Sequence, residues 1–485
     1  DTGLRIEGQM TSVPRLIANQ MGLSSEEFTQ PYIAPPGIGT TNVGDGNVAS
    51  SMYFNGSSID LIEVMSLADV PAMLLAAAQP LHYHNLGVPG AWATDVLNAY
   101  DKGSSFGSAN SYFDFINRAS LFGNSVESAI YPDSPTTVKE VEYQTASQFR
   151  QAVAKGSRIT TLWIGGNDIY LGATSGNPNG LGGMPVTPVA SFAASLQDMV
   201  ALLAGGQAAR LGWDPQTQTG VQPIIVLANL PDLNDVPHFI PTPVFEAVIA
   251  GMGAPVPGYL ESDVSYVLLN ALAWVPQNLG MDLPSVLTLT ADEVALVQGH
   301  VDGYNGTIDA VAAAINATGL AKVGVVDARS FLDGLPTPAK TLFLFLLPQH
   351  AAPWSPAEIE AAAATTYFSL DGFHPNNKGY AAIANLFIAK INELDGSSIP
   401  PVDAGSIVWD PTYGIAAGKS AATPGVFMTP RAGQAHPGGH GGGAVWIQAS
   451  GLVTINGTIN ADGENAHDRG GGGAGLLQEK ATREF

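Results

Sequence analysis

The segment "SLDGFHPNNKGYAAIANLFI" (369–388) places an acid, Asp371, three residues before His374. A histidine changes charge near neutral pH, so it can take a proton from a hydroxyl and return it to a leaving group. An aspartate within reach can hold the ring through its Nδ1–H. The competing role is structural: an acid at a helix N-terminus, with a solvated histidine behind it. Two further segments offer donors. In "WIGGNDIY" (163–170), Asn167 follows two glycines at a strand end, where its amide can donate into a crevice. An ordinary Asx turn explains the same string structurally. In "NLGVPGAW" (85–92), Gly90 lies at a turn that leaves its N–H unhindered, or serves backbone shape alone. Together the Gly90 N–H and the Asn167 amide would form an oxyanion hole, two donors aimed where a tetrahedral intermediate gathers charge. Losing one such donor costs roughly 3–4 kcal/mol of barrier in serine hydrolases.

These residues need a rigid frame, and the surrounding pattern supplies one. "SVPRLIANQMG" (12–22) reads as a short helix ending at a glycine. The apolar runs in 158–170, 221–239 and 321–335 read as strands, and 83–100 as a strand end, a Gly-Pro-Gly turn and a helix. Helical stretches at 188–206 and 290–319 separate them. Strands alternating with helices predict βαβ units and a parallel sheet, whose ligand sites lie at the C-terminal strand ends. Gly90, Asn167 and the "NLPD" turn (229–232) all fall at such ends. Residues 240–290 read as a mostly helical insertion over the sheet, with the character of a lid. From about residue 401 the composition shifts to a Pro/Gly-rich linker. A tail follows in which "HPGGHGGGAVWIQASGLVTINGTINADG" (436–463) resembles one coil of a Gly-rich β-repeat. One coil cannot bury its own apolar face. The expected domains are therefore 1–400 and 401–485.

Composition excludes several functions. The 485 residues include 42 acidic and 19 basic side chains, a net charge of −23. Such a chain repels phosphate backbones, so nucleic acid is not an expected partner. There is no cysteine, which removes disulfides, thiolate metal sites and a cysteine nucleophile. No apolar run of about 18 residues reads as a membrane span, "TLFLFLLP" (341–348) being too short. "HYH" (82–84) lacks further metal ligands and reads as a packed strand end. His436, His440 and His467 in the tail read as solvated, and the sequence offers no catalytic argument for His238 or His300. Neither a metal nor an organic cofactor is implied.

In this order and spacing, the segments around Gly90, Asn167 and Asp371–His374 resemble the SGNH hydrolase superfamily, the GDSL-type lipases and esterases. The resemblance covers roughly residues 1–395 and implies a flavodoxin-like three-layer α/β/α sandwich hydrolysing esters through a Ser–His–Asp triad. By it, Gly90 and Asn167 match the oxyanion donors, and Asp371 and His374 the orienting acid and the base. "NLGVPGA", "NLPD" and "TADEVALVQGHVDGYN" look like a secreted or cell-surface bacterial branch acting on small-molecule or lipid esters. One block departs. No Gly-Asp-Ser occurs, and "VGDGNVASS" (43–51) has Gly46 in the serine's place and follows the first helix. The chain opens at "DTGLRIEGQ", which looks like the loop after the nucleophile block, so the nucleophile is expected upstream of residue 1. Ser12, Ser50 and Ser51 are reachable in principle but carry no motif. Two other functions stay open: an inactive surface-interaction protein that uses the fold as scaffold, and a carbohydrate acetylesterase.

Overall fold

The computed structural model of the chain describes residues 6–25, 27–33, 42–44, 47–49, 52–61, 64–66, 83–108, 110, 112–113, 146–180, 185–251, 253–258, 263–348 and 353–412. Ser50, Ser51 and the Gly-rich tail lie outside them. The chain divides into two units, Asp1–Tyr413 and Gly414–Phe485.

Helix α1 (Val13–Gln20) carries Pro14 in its first turn, where a missing N–H leaves nothing unpaired. Helices α2 (Ala93–Asn98) and α3 (Gln148–Lys155) precede strand β1 (Ile159–Leu162). Helix α4 (Gly166–Thr174) and the long α5 (Val189–Arg210) lead to β2 (Ile224–Ala228). The chain then leaves the main sheet through β3 (Phe239–Pro241), α6 (Thr242–Gly251), β4 (Val264–Leu268) and β5 (Thr288–Thr290). Helix α7 (Ala291–Thr318) returns it to β6 (Lys322–Val326), and α8 (Asn377–Asp395) follows. A reciprocal Thr290–Glu293 cap starts α7 and a left-handed Gly319 ends it.

Strands β6, β2 and β1 form a parallel sheet in that order. Ile224 of the central strand pairs with both Ile159 and Lys322. All five residues of β2 are buried, as a strand covered on both faces requires. Alternation divides them: Ile225 and Leu227 pack with Leu203 of α5 and Val301 and Ile308 of α7. Ile224, Val226 and Ala228 pack with Leu16 and Ile17 of α1 and Ala384, Phe387 and Ile391 of α8. Helices on both faces of a parallel sheet make the expected α/β/α sandwich.

Two expectations need correction. The 240–290 segment is not mostly helical. Strands β5, β4 and β3 form an antiparallel sheet in that order, with α6 and a one-turn helix (Ala271–Trp274) beside it. Its core gathers Ile240, Phe245, Ile249, Val267 and Leu283. Residues 401–412, placed by composition in a linker, belong to the first unit. Val402 exchanges two hydrogen bonds with the Asn385 amide (2.7 and 3.0 Å), and Trp409 is buried against Phe343. Helix α5 is long and apolar enough to cross a membrane by length and composition. In the fold it is a core helix, with Phe192, Leu196, Met199, Val200 and Leu203 buried.

Candidate active site

The Ser369–Pro375 loop is closed on itself before α8 begins. Phe368 and Pro375 form an isolated antiparallel bridge, and Ser369 N donates to His374 O at 2.9 Å. The helix starts at Asn377, not at Pro375. Asn376 is the cap, accepting from Gly379 N at 3.0 Å and donating to the Thr366 and Phe368 carbonyls. Asp371 therefore does not serve the helix terminus, because its carboxylate is occupied within the loop. One oxygen, Oδ1, accepts from Ser369 Oγ (2.7 Å), Phe373 N (2.9 Å) and His374 N (3.0 Å). The other, Oδ2, lies 2.7 Å from His374 Nδ1. Burial alone would raise the Asp371 pKa. The His374 ring, its hydrogen bond and the Ser369 hydroxyl act against burial, and the carboxyl is held well below the usual range. The His374 side chain is 45% exposed, against 18% for Asp371. With Nδ1 turned to the acid, Nε2 is the ring nitrogen on the opposite side.

Asn167 lies in the first turn of α4, just past the end of β1. The N-cap before it, Gly165, has φ +105°, and a Cβ there would come within 2.8 Å of the Phe192 ring. Only a glycine fits this backbone at this depth. Asn167 Nδ2 donates to Ala91 O at 2.8 Å, which fixes the amide and leaves its second N–H unspent. Gly90, the residue before Ala91, is exposed with φ +70°. Its N–H has no hydrogen-bond partner among the described residues. A second tie runs parallel: Asp168 Oδ2 accepts from Ala93 N at 2.9 Å. Asp168 is buried, which pushes its pKa up to about 6 against the pull of the Ala93 N–H. The loop of Gly90 is thus pinned to the helix of Asn167 at two adjacent points.

The acid–base loop reaches the same helix. Phe373, between Asp371 and His374, packs edge-on against Tyr170 with ring centroids 5.4 Å apart. Tyr170 is one turn beyond Asn167, and its hydroxyl donates to Pro231 O in the "NLPD" turn. That turn is tied to β6 by Asn229 N donating to Val326 O (3.1 Å). The structure thus links both halves of the predicted site at the C-terminal end of the parallel sheet, where such sheets bind ligands.

Sequence reasoning passed over His238. Its ring is buried, with Nδ1 3.0 Å from the Asp371 carbonyl oxygen, and its backbone N donates to Gly372 O at 2.9 Å. The only local signal is its place just after the "NLPD" turn. The remaining candidates have structural roles. Ser12 Oγ lies 3.4 Å from Gln30 Oε1 at the start of α1. His300 Nδ1 lies 2.8 Å from Leu296 O of its own helix. Tyr83 and His84 are in a loop, not at a strand end, and His84 stacks on Phe28. Among the described residues no group of three His, Cys, Asp or Glu side chains could hold a metal ion.

A base oriented by a carboxylate, beside two free N–H donors on a rigid support, is the equipment of acyl transfer. No curated protein and no solved structure showed a match to the chain. The family model for GDSL-like lipase/acylhydrolase matches residues 37–387, which span Gly90, Asn167, Asp371 and His374 as well as the whole parallel sheet. The chain belongs to the GDSL-like lipase/acylhydrolase family, an ester-hydrolase family.

Proposed function

We propose that the chain is the hydrolase part of a serine-dependent carboxylic-ester hydrolase. His374 is the general base, Asp371 its orienting acid, and the Gly90 N–H and Asn167 Nδ2 are the oxyanion donors. The observation that carries this reading is the 2.7 Å contact from His374 Nδ1 to Asp371 Oδ2, made by a carboxylate whose other oxygen is held by three donors. Nε2 takes the proton of a serine hydroxyl as its oxygen attacks the ester carbonyl. The carbonyl oxygen becomes negative against the two donors, and His374 returns the proton to the departing alcohol. Water then repeats the sequence to release the acid. The sequence holds no Gly-Asp-Ser, so the serine is proposed to lie in a segment upstream of Asp1. Small-molecule or lipid esters are the proposed substrates, and the acidic, cysteine-free composition with its Gly-rich tail supports a secreted or cell-surface bacterial protein.

The test uses the chain with its upstream coding segment restored. His374→Ala should lower p-nitrophenyl ester hydrolysis by about 10³-fold or more. An unchanged rate would refute the assignment. A fluorophosphonate probe should label the extended chain and not the chain from Asp1. Labelling of the latter would place the nucleophile within these 485 residues.

A further inference from the structure

We infer that His238 is a positioning residue for the Asp371–His374 pair, acting as a two-point clamp on the backbone that aims the carboxylate. This rests on the hydrolase reading above. One residue supplies both contacts: Nδ1 reaches the carbonyl of Asp371 at 3.0 Å, and the backbone N reaches the carbonyl of the next residue, Gly372, at 2.9 Å. The second of those peptide units carries the Phe373 N–H and the next one carries the His374 N–H, the two groups that fix Asp371 Oδ1. Tilting them would turn the carboxylate away from His374 Nδ1.

The approach has been made possible on both sides. Gly372 has φ +65°, and a Cβ there would lie 3.1 Å from His238 N and 2.4 Å from Leu342 Cδ2. His238 is itself anchored: its carbonyl accepts from Leu269 N at 3.0 Å, at the end of β4. Its ring stands edge-on to Phe239 and Phe373, with centroids 5.4 and 6.3 Å away. The clamp therefore connects the antiparallel sheet of the excursion to the acid–base loop.

A carbonyl oxygen can only accept, so the Nδ1 side must carry the proton. The ring is then neutral with a lone pair on Nε2. That nitrogen is buried and has no hydrogen-bond partner among the described residues. A ring kept for volume alone would gain nothing from a buried, unpaired nitrogen. The groups that act on the ring charge are the Asp371 carboxylate, which favours the cation, and His374, which opposes it. Burial, with His374 acting in the same sense, outweighs the Asp371 carbonyl and carboxylate and lowers the pKa of the ring.

The test has one arm that needs no turnover. Histidine-selective ¹⁵N NMR of the intact chain should show His238 as the neutral Nδ1–H tautomer at pH 8. In His238→Leu the downfield His374 Nδ1–H resonance, the mark of its bond to Asp371 Oδ2, should be lost, because the acid partner is no longer held in place. In the catalytically complete chain the same variant should lose roughly 10²-fold in kcat with KM little changed. His238→Asn, whose amide can reach the Asp371 carbonyl, should recover most of both. An Nε2–H tautomer in the wild type would overturn the proposal, even if the leucine variant fails to fold. So would a leucine variant with an unchanged His374 Nδ1–H resonance and kcat, or an asparagine variant no better than leucine. If the chain hydrolyses no ester yet the His374 resonance is lost as stated, the clamp stands and the hydrolase reading falls.

Discussion

Two carboxyls in this site respond to pH in opposite senses. Asp371 has a folded pKa well below its unfolded value of about 3.9. Its contribution to stability is complete above that value and is lost as pH falls through the folded one. Asp168 is the reverse: its folded pKa, about 6, lies above the ordinary 3.8, so the folded state takes up its proton first. Stability from this group declines as pH rises from about 4 to 6. Urea midpoints should therefore show Asp168→Asn gaining on the wild type as pH increases from 4 to 7. Asp371→Asn should flatten the acid limb between pH 4 and 2. A parallel pH dependence in all three proteins would contradict this assignment. The Asp371–His374 pair was legible in the sequence because its partners are three residues apart and share one loop. The His238 clamp joins residues 133 positions apart, and no local pattern reports such a contact.

At the scale of elements, the cap of α8 is where the acid–base loop meets the sandwich. Asn376 is buried and fills three roles, receiving Gly379 N and donating to Thr366 O and Phe368 O. Asn376→Ala should cost about 2 kcal/mol or more, since it removes a cap and leaves two carbonyls poorly paired. Chemical denaturation measures this directly, and a loss under 0.5 kcal/mol would deny the cap its role. Proline favours a first helical turn, which on its own would start the helix at Pro375. The bridge from Pro375 to Phe368 holds that residue in the loop instead. Strands β1, β2 and β6 were legible as short apolar runs, and α7 by its Thr290 cap and Gly319 stop. The excursion was not. An apolar run with prolines carries no clear period, and its strands form only because β3, β4 and β5 find one another.

For the whole molecule, the functional unit ends with residues that composition alone assigns to a linker. Trp409, 6% exposed, packs with Phe54, Phe343 and Leu347. Trp409→Ala should cost about 3–5 kcal/mol. A chain stopped after residue 413 should keep the unfolding midpoint of the first unit, and one stopped after 400 should not. Equal midpoints for the two truncations would show that 401–412 contribute nothing. The glycine- and proline-rich character of this stretch hid it, since docking by scattered residues such as Val402, Ile407 and Trp409 leaves no periodicity to read.

The register of the parallel sheet has a kinetic consequence. Ile224 must meet Ile159 on one side and Lys322 on the other, each across a long intervening stretch of chain. Closing such loops is entropically unfavourable before any contact compensates for it, so sheets of this kind assemble slowly. Asn167 follows β1 and Asp371 follows β6. Neither can be in place until those closures are complete, so the Asn167 amide and the Asp371–His374 pair come together late in folding.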